Sequence, residues 1–141
     1  MKKKLLLMLT LCLLAQWSVA QAPKWVDKAK RAVFSVVTYD QDDKILNTGN
    51  GFFVTEDGVA LSDYTLFKGA RRAVVMSSDG AQMPVEAIMG ADDMYDVVKF
   101  RVGIPGKKVT ALTLAAVAPA VGADVYLSLI HISEPTRRRG I

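Results

Sequence analysis

Between Ala32 and Val102 the chain is a succession of short runs rich in β-branched and aromatic residues, cut by turn signals. A turn roughly every 8–12 residues leaves room for short strands and little else. Residues 32–39 read as a strand, followed by the polar turn Asp40-Gln41-Asp42-Asp43, after which 44–48 is placed to pair back. Residues 51–55 form a strongly apolar run closed by Glu56-Asp57-Gly58, and an Asp-Gly ahead of the apolar stretch 59–61 is a short-range hairpin signal. Residues 73–76, 83–89 and 97–102 read as strands, with Ser78-Asp79-Gly80 as a second hairpin turn, and 111–114 as a weaker strand. Val125 and Tyr126 open a last one. Helix is expected at 23–31, with Trp25, Val26 and Ala29 on one side, and as a single turn near 63–67. The fold class is mainly β; periodicity does not choose between sandwich and barrel.

The ends read differently. Lys2, Lys3 and Lys4 precede a short apolar run at 5–14, and Ser18-Val19-Ala20 supplies the small residues of a cleavage site. Residues 1–20 are therefore expected to be an export signal, since about 20 apolar residues are needed to span a bilayer. The protein is then periplasmic or extracellular, with no stable membrane span after cleavage. Cys12, the only cysteine, goes with the signal, which excludes disulfides, thiol catalysis and cysteine–zinc sites. At the other end, residues 127–137 read Leu-Ser-Leu-Ile-His-Ile-Ser-Glu-Pro-Thr-Arg, the translation of a common transposase-type sequencing adapter. Residues 127–141 are expected to be an artefact tail, and His131, the only histidine, is given no role.

The formal charge of +4 resides in these ends: residues 21–126 hold twelve Lys or Arg against thirteen Asp or Glu. A balance of −1 gives no electrostatic pull toward phosphates, and no nucleic-acid partner is expected. The expected organisation is a signal at 1–20, a short helix within 21–31 and one β domain or lobe at 32–126.

Three stretches, taken in order, resemble the first β-barrel of HtrA/Do-type, trypsin-like serine proteases. Gly49-Asn50-Gly51-Phe52-Phe53-Val54-Thr55-Glu56-Asp57-Gly58 is similar to the family's Gly-Ser-Gly-Phe opening with its Asp-Gly hairpin. Residues 59–67, Val-Ala-Leu-Ser-Asp-Tyr-Thr-Leu-Phe, resemble the segment that in the family ends Leu-Thr-Asn-x-His-Val-Val. Residues 90–98 resemble the family's Asp-x-x-x-Asp-Leu-Ala. The resemblance implies a chymotrypsin-type N-terminal barrel cut short before its second barrel, with an inter-barrel face left as an apolar patch. The glycines of Gly49-Asn50-Gly51 fit a bend with positive φ or a close backbone approach ahead of a buried strand. No Gly-Lys-Ser/Thr follows to make a phosphate loop.

The resemblance places the family's histidine at Thr65 and its orienting aspartate at Asp96. A threonine hydroxyl has no useful basicity near neutral pH, so Thr65 is not expected to be catalytic. Asp96 keeps the family position, and with the histidine gone a structural role as turn or strand-start residue is favoured. Ser35, Ser62, Ser77 and Ser78 lack Gly-x-Ser-Gly-Gly-like surroundings. Asp92-Asp93-x-x-Asp96 lacks the alternating ligands, glycine and closing glutamate of a calcium loop, and zinc has no ligand set. Neither metal nor cofactor is expected. The readings that stand are an inactive trypsin-fold module that binds an unknown peptide or protein, and an active endopeptidase whose base and nucleophile come from the second barrel. A small secreted barrel or sandwich unrelated to the family is the third. Sequencing the genomic locus across codon 127 is expected to show a reading frame that continues without the adapter codons; finding those codons in intact genomic DNA would overturn the artefact reading.

Overall fold

Alternation along each strand decides the architecture. The computed structural model describes residues 24–123, so the signal expected at 1–20, His131, the strand expected at 125–126 and the artefact tail expected at 127–141 lie outside the described residues. Helix α1 (Lys24–Ala32) leads into β1 (Val33–Tyr39), β2 (Ile45–Phe53) and β3 (Val59–Asp63). A one-turn 3-10 helix (Tyr64–Phe67) follows, then β4 (Arg72–Ser77), β5 (Gln82–Asp92) and β6 (Val97–Val102). Every second residue turns inward: Phe34 and Val36, Phe53, Ala60, Ala73 and Val75, and Val98, Phe100 and Val102 make one buried cluster. All strand pairs are antiparallel, and the sheet closes on itself in the order β1-β2-β3-β6-β5-β4. The two architectures left open by periodicity are thus resolved as a closed six-stranded barrel.

Three phenyl rings fill the middle. Phe34 lies with its centroid 4.6 Å from Phe53 and 6.3 Å from Phe100, and Phe67 caps Phe100 at 5.0 Å. Gly51 makes room for them: a Cβ there would come within 2.6 Å of the Phe34 ring and 2.7 Å of the Leu61 carbonyl oxygen. The glycines at 49 and 51 therefore serve close approach, and neither takes a positive φ. The bend and separate strands expected around them are absent, because β2 runs unbroken from Ile45 to Phe53, taking in most of 44–48 and the start of 51–55. Gly58 is different, with φ +92 in the Asp57-Gly58 hairpin and its missing Cβ 2.7 Å from the Val102 carbonyl oxygen.

Helix α1 carries Asp27 in its first turn and Lys30 and Arg31 in its last, both favourable to its dipole. Its last residue, Ala32, is buried where the chain turns into β1. Neither helix among the described residues is long and apolar enough to cross a membrane. After β6 the backbone is irregular but anchored. Gly103 N donates to Pro84 O at 2.8 Å, Val109 N to Glu56 O at 3.1 Å and Leu112 N to Phe53 O at 2.8 Å. The strand expected at 111–114 does not form; the Leu112 bond ties this segment to the end of β2 without a ladder. Exposed apolar residues, Ile88, Met89, Met94, Tyr95 and Val97, run along outer β5 and through the turn into β6.

The registers define two ends. Tyr39, Ile45, Asp63, Arg72, Asp92 and Val97 mark one; Val33, Phe52, Val59, Ser77, Gln82 and Val102 mark the other. Phe100→Ala is expected to lower unfolding stability by about 3–5 kcal/mol through the central cavity it opens. Gly58→Ala is expected to cost about 1–3 kcal/mol from its left-handed backbone and the Val102 contact. Denaturant unfolding checks both.

Candidate functional site

At the first of these ends β3 stops at Asp63 and the chain winds once, through Tyr64–Phe67. Side chains of β1 and β2 fix that turn. The Thr38 hydroxyl donates to Leu66 O at 2.9 Å and accepts from Asn47 N at 3.1 Å, while Asn47 Nδ2 donates to Leu66 O at 3.3 Å. The Leu66 side chain fills the space that Gly49 leaves by having no Cβ. The turn thereby presents Thr65 toward the residue that precedes β6.

That residue is Asp96. It holds φ +51, a left-handed conformation that aspartate tolerates better than most side chains. Its carbonyl oxygen accepts from Tyr64 N at 3.1 Å. Its Oδ1 accepts both from Thr65 N at 2.6 Å and from the Thr65 hydroxyl at 2.8 Å. The two residues singled out in the sequence, 31 positions apart, are therefore in direct contact. Left-handed backbone alone is not a functional mark here, since Asp43 takes φ +59 in the plain turn between β1 and β2.

The Thr65 hydroxyl and then the Thr65 amide hold the Asp96 carboxyl below its ordinary value of 3.8. Lys68 adds a smaller pull in the same direction. Lys68 itself pairs with Asp93 and lies 5.1 Å from the centre of the Tyr64 ring. The hydrogen bond it donates to Asp93 raises the Lys68 ammonium above its usual value, so it stays protonated.

The chemistry of this arrangement is restricted. A general base must take a proton near neutral pH. Thr65 has no such basicity, Asp96 is a weaker base than an ordinary carboxylate, and Lys68 is fully charged. Activation of the Thr65 hydroxyl by Asp96 fails on the same ground, because lowering the carboxyl's affinity for a proton widens its mismatch with an alcohol. Among the described residues there is no histidine and no catalytic triad. Three of the four serines are engaged or sealed: Ser62 Oγ donates to Asn50 O at 2.7 Å, and Ser77 Oγ donates to Asp79. Ser35 is 1% exposed, with its hydroxyl unpartnered among the described residues. Ser78 sits exposed in the turn between β4 and β5.

The acidic run diverges. Asp92 Oδ1 accepts from Met94 N at 2.9 Å and Tyr95 N at 3.0 Å, Asp93 turns to Lys68, and Asp96 to Thr65. Among the described residues no group of three or more His, Cys, Asp or Glu side chains could hold a metal ion. Thr38, Asn47 and Lys68 escape sequence reasoning because each meets its partner across the barrel end, with no local pattern to mark it. No family model matches the chain, and no curated protein matches it.

Asp96 is more acidic folded than unfolded, so its contacts stabilise the fold above the ordinary carboxylate range. That contribution disappears as the pH falls from 3.8 through the depressed folded value. An NMR titration of the Asp96 carboxyl carbon is expected to give a midpoint below 3.8. Thr65→Ala should move it upward while leaving the backbone amide bond in place. A midpoint unmoved by Thr65→Ala would remove the hydroxyl from this account.

Proposed function

We infer that this chain is an exported, proteolytically inactive relative of trypsin-like serine proteases of the HtrA/Do type, whose barrel acts as a binding or scaffold module for a peptide or protein. The observation that carries the reading is the contact between Thr65 and Asp96. The resemblance assigns these positions to the imidazole and its orienting carboxylate, which must touch for a triad to work. Their hydrogen bond agrees with that assignment, although nothing in the spacing of the two motifs required it. The closed barrel, with one position in the turn after β3 and the other just ahead of β6, supports the same reading.

Inactivity follows from the substitution. In the triad the carboxylate fixes the tautomer of an imidazole and stabilises the imidazolium that forms. Here Asp96 takes the hydrogen of an alcohol that can neither accept the nucleophile's proton nor return it to a leaving group. What remains is a positioned turn, held from both sides. Export is part of the proposal and rests on the residues of the signal, Lys2 to Lys4, the apolar run behind them and Ser18-Val19-Ala20.

Full-length protein incubated with a fluorophosphonate probe is expected to remain unlabelled, and peptide substrates are expected to stay intact. Covalent labelling of folded protein at a serine, with hydrolysis abolished by the same probe, would replace this reading with that of an active endopeptidase.

A further inference from the structure

A cavity of about 480 Å³ lies at the opposite end of the barrel from Thr65 and Asp96. It is bounded by the end of β2, the β4–β5 turn and the segment that follows β6. Phe53, Met83, Ile104 and Val109 give it an apolar wall continuous with the barrel core. Its size falls within the roughly 300–1,000 Å³ of small-molecule pockets, which pair such walls with a few polar groups.

Its charged lining is predominantly basic. Arg31, from the last turn of α1, Lys107 and Lys108 line the cavity against a single carboxylate, Asp79. Lys108 pairs with Glu56 at 3.1 Å. Asp79 is already engaged, accepting from the Ser77 hydroxyl and from Ala81 N at 3.1 Å. Arg31 and Lys107 form no ion pair among the described residues. Lys107 is close enough to Asp79 to lower its carboxyl, yet the lining keeps an excess of positive charge, and an apolar wall beside it calls for a ligand with an apolar body and an anionic head.

We propose that this cavity binds a small amphipathic carboxylate, its acyl chain against Phe53, Met83, Ile104 and Val109 and its head group between Arg31 and Lys107. The charge-assisted bonds of the head group supply orientation and the apolar wall supplies most of the affinity. The site stands apart from the Thr65–Asp96 end and does not depend on how that end is read.

Decanoate is the probe, followed through the methyl NMR signals of Met83, Ile104 and Val109, which line the cavity, in the full chain. Saturable shifts of these signals are expected, with affinity about tenfold weaker in the Arg31→Ala/Lys107→Ala double variant and for decanol, which lacks the charge. Both substituted residues are cationic and form no ion pair, and the unfolding midpoint of the double variant checks that it folds. Methyl signals that decanoate leaves unmoved would overturn the proposal. So would equal affinity for decanol, or for the double variant with an unchanged unfolding midpoint.

Discussion

The ring of Phe34 lies against the bare backbone of Gly51, and the size of the barrel follows from that contact. Any side chain at position 51 would meet the ring on one side and the Leu61 carbonyl on the other, forcing β1 and β3 away from β2. With nothing there, Phe34 reaches Phe53 and Phe100, and three rings fill a space that β-branched residues from the other strands then seal. Interiors packed at crystal-like density tolerate little change of volume. Among the described residues the centre of this six-stranded barrel is filled by its own side chains.

Closure is also what brings distant residues together. β3 and β6 are neighbours only because the sheet closes in the order it does, and the turn leaving β3 therefore lies beside the turn entering β6. Thr38 and Asn47 hold the first turn by its Leu66 carbonyl; the Asp96 carbonyl receives Tyr64 N from the second. Between them the Thr65 hydroxyl meets the Asp96 carboxylate with a single short side chain. Threonine suits this geometry because its hydroxyl sits on Cβ and can donate at the same carboxylate oxygen as its own amide.

The strands were legible in the sequence because their signals are local. Asp57-Gly58 and Asp79-Gly80 mark hairpins by backbone chemistry that needs no distant partner, and the run 97–102 alternates cleanly. Residues 45–53 were not legible as one strand, because glycines ordinarily interrupt a ladder, and here their purpose is set by Phe34 and Leu66 from other elements. Residues 111–114 misled in the opposite sense, being apolar enough for a strand but bound to β2 through one hydrogen bond. Thr65 and Asp96 were singled out by motif resemblance, and what the structure adds is that their side chains touch. The basic cavity could not be read at all, since Arg31, Met83 and Lys107 converge only when the barrel has closed.

The two ends then differ in a way that bears on recognition. At the Thr65–Asp96 end, the charged and polar side chains are turned on one another and on backbone amides: Asp92 to Met94 and Tyr95, Asp93 to Lys68, Asp96 to Thr65. A ligand arriving there would have to displace bonds already made, and each displaced charge-assisted bond costs more than a neutral one. At the far end Arg31 and Lys107 stand without ion pairs beside an apolar wall, so a matching anion gains contacts without breaking any. The contact between Thr65 and Asp96 thus satisfies the polar groups at one end of the barrel internally.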